Sequence, residues 1–482
     1  MGPHHQQSRT FVGNIQYQSD DQGRDWLQAR LKRHLSELIR LAAPSMTSRL
    51  GMLALGFVDT VMVGRYATSE LAWLSLANRS VISFLLVVGI GLLMGVVVYT
   101  ASAFGRDDER ECGRIWRRSM PYALWIGGGM LALSLPAHIW MDWLASDPVI
   151  AEESAKLVVI LGLGLPAHLI FFCCTGFLEG IRRPMIPMVA LIVGNGVNVV
   201  LNYSLVYGHF GAPEMGAAGS ALTSTLVRWI LAALLLAYLW YSPSMERFGL
   251  RISHGQSWKD WARQRTIGYA SAVSIGAEVG AFAGLAVIAE KLGAFILAGQ
   301  EIVFNVMTVP FMVSVGIGSA TAVRVGISHG RGDPADTGLA GWTGLGASIV
   351  FLSLAAVFVF LFPEWLFALH SDDMRLAAIT VPAIMFIAYV TVFDGGQSVV
   401  SMALRGLGET WWPTAIQAVA YLMLMLPLSW YLAVDMDRGL IGLLEATLIA
   451  SIFSVVAQSV RFWWLTGREK AFENKPSQKD EA

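Results

Sequence analysis

Residues 55–64 read LGFVDTVMVG and place a carboxylate, Asp59, inside an apolar run long enough to cross a bilayer. An ionisable group at that depth is costly and normally faces a cavity or a partner, so it marks a functional site by default. The rest of the chain decides whether the run is a span. Of its 482 residues, 55% are hydrophobic and only 14% are charged, which is the composition of a polytopic membrane protein and not of a soluble domain. The 48 glycines allow helix backbones to approach closely, and the 17 tryptophans suit interfacial belts. A net charge of -1 points to no nucleic-acid partner. Cys112 lies in a basic loop and Cys173 and Cys174 are adjacent, so neither a disulfide framework nor a metal-ligand spacing results.

With roughly 20 mostly apolar residues to a span, twelve are expected. They lie near 41–64, 71–102, 119–145, 155–178, 185–208, 216–241, 267–289, 295–328, 341–367, 376–403, 411–434 and 440–465. The first 37 residues are polar and lack the apolar core of a signal peptide. The expected organisation is a tail over 1–37, a six-helix lobe over 38–242, a linker over 243–266, a second six-helix lobe over 267–466 and a tail over 467–482. Of the 34 Lys and Arg residues, 24 fall on the face that holds both termini and five on the other. By the positive-inside rule both termini are expected in the cytoplasm; as a separate expectation, the chain is placed in a plasma membrane, namely a bacterial inner membrane.

The two halves are related. A shift of 227 lays Asn78 on Asn305, Phe84 on Phe311 and the VGIG at 88–91 on the VGIG at 315–318, and a shift of 226 lays Gly180 on Gly406 and Pro187 on Pro413. Six spans per half make the repeats parallel, an organisation typical of transporters that rock two bundles about a central site.

Three carboxylates lie well inside spans: Asp59, Glu278 in SIGAEVGAFAG and Asp394 in YVTVFDGGQSVV. Each serves either as a transport site or as a permanently paired or protonated group that holds helices together. Glu290, Glu301, Glu364 and Glu445 lie close to span ends, where an interfacial role is expected. In the fifth span Asn195, Asn198 and Asn202 share one helical face. They are either interhelical hydrogen-bond glue or ligands for a hard monovalent cation. Gly276, Gly280 and Gly284 form a stripe expected to pack tightly, with Glu278 facing away from it toward a cavity. Among the intramembrane bases, Arg49, Arg324 and Arg461 are expected to snorkel to the inner face. Arg79 and Arg228 lie deeper, and Arg79 is near enough in depth to Asp59 to be a charge partner. No metalloprotease, serine-hydrolase or phosphate-loop motif is present, so no enzyme is expected.

Several segments resemble the multidrug and toxic compound extrusion (MATE) antiporters, in their NorM branch. They are GFVDTVMVGRY at 56–66, VGIGLLMG at 88–95, LEGIRRPMIPM at 178–188, NVVLNYSLVYG at 198–208, GIGSATAVRVG at 316–326 and LRGLGET at 404–410. The resemblance covers nearly everything after about residue 38. It implies twelve helices in two six-helix lobes arranged as a V, exporting cationic amphipathic compounds in exchange for sodium ions or protons. It also implies that Asp59 is an essential first-helix aspartate, and that Pro44 is a proline linked to bending of that helix. Asn198 and Asn202 become helpers in cation binding, and Glu278 with Asp394 the acidic pair of the second lobe. A coupling sodium ion would lie at Glu278, Asp394 or Asp59; no cofactor is implied. The expected partners are small cationic organic substrates and membrane lipid, with no nucleic acid, and the chain is expected to be monomeric. Arg79 and Arg228 depart from the family pattern, and either is expected as a charge partner that could hold Asp59 in its ionised state. The main rival is a flippase for lipid-linked oligosaccharide precursors from the same wider superfamily, which would need a cationic cavity for its anionic cargo.

Overall fold

The computed structural model describes residues 15–145, 147–252 and 257–473, with side chains from 28 to 467. Those residues fold as helices with short connections. We label the spans α1 (Ile15–Tyr66), α2 (Thr68–Gly105), α3 (Glu109–Ser134 and Ala137–Leu144), α4 (Pro148–Gly162 and Leu165–Gly180), α5 (Met185–Tyr207) and α6 (Gly216–Tyr241). The second six are α7 (Ala262–Leu292), α8 (Ala294–Gly330), α9 (Pro334–Leu361), α10 (Met374–Gly406), α11 (Trp411–Asp435) and α12 (Gly439–Glu473). Ten are single helices long and apolar enough to cross a membrane. With α3 and α4, each bent by 57° and 41° at a short break, they make the twelve expected spans. The breaks fall beside Pro136 and Pro166, where a missing N–H interrupts the helical ladder.

Charged residues at several helix starts are accounted for locally. Asp108, Asp147, Asp333 and Asp373 each accept a backbone N–H of the helix they precede, at 2.8–2.9 Å. Two boundaries differ from expectation. Residues 15–37, expected as a tail, belong to α1, whose extension buries His34 and Leu38 at 2% and 1% exposure; residues 1–14 lie outside the described part. Helix α12 likewise enters the tail expected from 467, and 474–482 lie outside the described part. The linker is docked: Phe248 is buried and its ring meets Phe177 edge-on at 5.6 Å.

One apolar core unites α1–α6 and a second unites helices of α7–α12. A third, from Leu38, Leu41, Met94, Val97 and Ala101 to Ile267, Ile317 and Val399, lies between the lobes. This seam is close because two helix pairs meet backbone to backbone in a pseudo-symmetric way. A Cβ on Gly95 of α2 would stand 2.2 Å from the Gln264 carbonyl oxygen of α7, and one on Gly316 of α8 would stand 2.7 Å from Met46 Cα of α1. The expected packing stripe on α7 is not the one used: Gly276 and Gly280 face open space, and only Gly284 meets a neighbour, Leu426. The seam closes the half of the molecule that carries the termini, the terminus face. Toward the opposite, distal face the lobes part, and among the described residues one ion pair crosses there, Arg79 to Glu301 at 2.9 Å. Its side chains are 66% and 47% exposed.

Candidate functional site

The carboxylates of the sequence lie in two places. Asp59 on α1 is 5% exposed and sits inside the first lobe. Its Oδ1 accepts from the amide nitrogens of Asn198 (3.0 Å) and Asn202 (2.7 Å) on α5, and its Oδ2 accepts from Ser224 on α6. The i, i+4 spacing of the two asparagines carries both to one carboxylate oxygen. Their own Oδ1 atoms are buried with no donor. The third asparagine of the stripe, Asn195, donates instead to the carbonyls of Gly51 (3.0 Å) and Leu191 (2.9 Å) and so fastens α5 to α1.

Among the described residues neither Arg79 nor Arg228 forms an ion pair with Asp59, although Arg228 is the charged group acting on it. Arg79 bonds Glu301 across the distal cleft, and Arg228 donates to the Leu161 carbonyl at 3.2 Å. Every hydrogen bond to Asp59 comes from a neutral group. Pro44 is buried in α1 within a continuous helix, one residue before Ser45, which reaches across to Glu179 at 3.3 Å.

Glu278 and Asp394 line a cavity of about 580 Å³ between the lobes. Asp394 on α10 is 1% exposed; its Oδ1 accepts from Tyr421 (2.6 Å) and Ser451 (3.0 Å), and its Oδ2 is buried without a donor. Glu278 on α7 is half-buried and accepts no hydrogen bond among the described residues, and Asp394 and Arg405 are the charged groups acting on it. The cavity walls are otherwise rich in rings and thioethers, among them Phe172, Phe282, Phe304, Met52 and Met307.

Sequence reasoning missed Ser224, Tyr421, Ser451, Glu179 and Arg405. Tyr421 is the largest fully buried side chain and stands on a π-helical turn, Val419–Met425, a geometry frequent at functional sites. A lone tyrosine in an apolar span, whose hydroxyl needs a partner, was the available signal. Arg405, assigned to a loop, is 3% exposed and lines the cavity. The bases expected to snorkel do so unequally. Arg49 lines the cavity with its guanidinium 5.6 Å from the Phe172 ring, Arg324 bonds His34, and Arg461 pairs with Glu409 at 2.6 Å.

Comparison with known proteins bears on the same architecture. The family model described as MatE matches the chain twice, over residues 44–204 and 270–431, starts that lie 226 apart and agree with the internal repeat. A probable multidrug resistance protein NorM of Caulobacter vibrioides is 32% identical over 437 residues, covering 90% of this chain and 93% of that protein. The multidrug resistance protein PmpM of Pseudomonas aeruginosa is 30% identical over 418 residues, covering 84% and 85%. Among solved structures, the eukaryotic MATE transporter AtDTX14 superposes with a TM-score of 0.83 at 18% identity, over 92% of this chain and 99% of that one, which is a likeness of fold.

Proposed function

Because the chain belongs to the MatE family, we propose that it is a secondary active multidrug efflux transporter, moving cationic amphipathic compounds out of the cell in exchange for sodium ions or protons by alternating access. The terminus face is taken as cytoplasmic, in keeping with its excess of Lys and Arg, and the membrane as a bacterial inner membrane. Each chain carries both lobes and the whole cavity, so one copy suffices.

One observation carries the reading. Both lobes hold buried acceptor oxygens with no donor: the amide oxygens of Asn198 and Asn202 around Asp59, and Oδ2 of Asp394 at the cavity wall near Glu278. Buried polar atoms are nearly always satisfied, so oxygens left open beside a carboxylate suit an exchangeable cation. Carboxylate, amide and hydroxyl oxygens are the donor set of a hard monovalent ion, and the same oxygens accept a proton. The cavity's phenylalanine rings and methionines offer cation–π and thioether contacts to a flat organic cation. A carboxylate attracts one positive partner at a time, so ion and drug exclude each other, and that exclusion is sufficient for antiport.

The test is ethidium efflux from cells that express the chain. Asp59→Asn and Asp394→Asn should each reduce efflux severely at normal membrane levels. Wild-type drug resistance in either variant would remove that residue from the mechanism. Selective movement of an anionic pyrophosphate lipid, with no ethidium efflux, would favour the flippase reading instead.

A further inference from the structure

Glu179 ends α4 and is 4% exposed, yet it lines the cavity. Its carboxylate bridges the lobes: Oε1 accepts from Ser45 of α1 at 3.3 Å, and Oε2 accepts from Ser319 of α8 at 2.7 Å. Among the described residues no Lys, Arg or His lies within ion-pair distance of it. Arg49, one turn after Ser45, is held over the Phe172 ring. A second observation points into the same corner: Thr175, one turn earlier on α4, lines the cavity with its hydroxyl buried and unpartnered.

Of the three cavity acids Glu179 is nearest the terminus face. Its partner Ser319 lies 11 residues before the end of α8, or roughly 16 Å along the axis, whereas Glu278 lies 16 residues into α7, or roughly 24 Å. Ser319 is also three residues from Gly316, where α8 rests on Met46. Opening the terminus face must lift α8 off α1 at that point. The same motion withdraws Ser319 and leaves Glu179 on the first lobe with one oxygen uncovered, in the path of anything entering from that side.

The geometry points to Glu179 as the carboxylate that recognises the cargo cation in the terminus-open state, masked by Ser319 once the lobes close there. Its ligand is an organic monocation carrying an aromatic ring, with the charge on Glu179, the Thr175 hydroxyl beside it and the ring against the cavity's apolar wall. This rests on the transport reading above and adds where the cargo first binds. Closure then restores the Ser319 bond, weakens the hold of Glu179 on the cation and releases it deeper into the cavity toward Glu278.

The test uses the full chain in inside-out vesicles, with the initial rate of ethidium uptake measured against ethidium concentration. Glu179→Gln keeps the shape and an acceptor for Ser319 but loses the charge, and should raise KM about tenfold with Vmax within about twofold. Glu179→Asp should stay near wild type. Ser319→Ala removes only the mask and should lower KM or leave it unchanged. A role as a simple latch would move KM the same way in Glu179→Gln and Ser319→Ala, and that result would overturn the assignment, as would a wild-type KM in Glu179→Gln. Wild-type vesicles that take up no ethidium would instead count against the transport reading itself.

Discussion

Replacing Asp336 with alanine should open the terminus face. The carboxylate of Asp336, at the start of α9, gathers two cations and a neutral imidazole from the extension of α1: Arg33 at 2.5 Å, Arg30 at 3.0 Å and the donating Nε2 of His34 at 3.1 Å. His34, 2% exposed, in turn accepts from Arg324 of α8 at its other ring nitrogen. The cluster therefore ties the first lobe to two helices of the second. Arg33 is 48% exposed, so its bond is weak in water, and Arg30 keeps Asp333 at 3.7 Å. The buried bond to His34 dominates, because its loss leaves an imidazole N–H with no acceptor. Taken together the loss is about 2–4 kcal/mol, or a factor of about 30 to 1,000 in the ratio of closed to open molecules. The three cysteines are buried, so spin labels can be directed to Arg106→Cys and Arg331→Cys, which flank the seam where Gly105 meets Ile327. Wild type should give one short distance, and Asp336→Ala should add a longer population. An unchanged distance distribution in Asp336→Ala would refute the assignment of this cluster as the closure.

Arg79→Ala should leave the pH profile of transport unchanged, since Arg79 faces Glu301 and not Asp59; a shifted profile would reinstate direct coupling to Asp59. Gly95→Ala should lower efflux strongly, because its Cβ would strike the Gln264 carbonyl at 2.2 Å, while Gly280→Ala meets nothing within 4 Å and should behave as wild type. Equal efflux from the two variants would mean that the seam does not need that close approach. Tyr421→Phe removes one of two donors to Asp394 and should change the ion dependence of transport while protein levels stay normal. If the ion dependence were identical to wild type, Tyr421 would be packing alone.

Span positions were legible because a bilayer imposes length and hydropathy together, and the doubling was legible because VGIG recurs at 88–91 and 315–318 on the second helix of each lobe, although its glycines meet different neighbours: Gly91 the Ala272 backbone and Gly316 the Met46 backbone. The Asp59 cluster was half legible. The 3.6-residue period puts Asn198 and Asn202 on one face, but nothing local says that α6 brings Ser224 to the same oxygens. Arg79 misled for a specific reason. Depth along a helix follows from residue count, whereas azimuth requires a constant twist, and Arg79 stands on a π-helical turn, Asn78–Ile82, that changes the twist. Gly276 and Gly280 show the limit of spacing arguments: a stripe of small residues describes a groove and not what fills it. The polar stretch after residue 28 read as a tail because its charges outnumber its apolar residues. Arg30, Arg33 and His34 find their shared partner, Asp336, only once α9 is beside them.

The central claim is that exchange of positive partners at intramembrane carboxylates couples ion to drug. Its most direct test is ethidium movement in proteoliposomes of the purified chain under an imposed gradient of sodium ions or protons. The account predicts that one of the two gradients drives ethidium against its own gradient, that reversing the ion gradient reverses the direction of ethidium movement, and that Glu278→Gln abolishes this coupling. Ethidium flux that proceeds at the same rate whatever the direction of either ion gradient would contradict it.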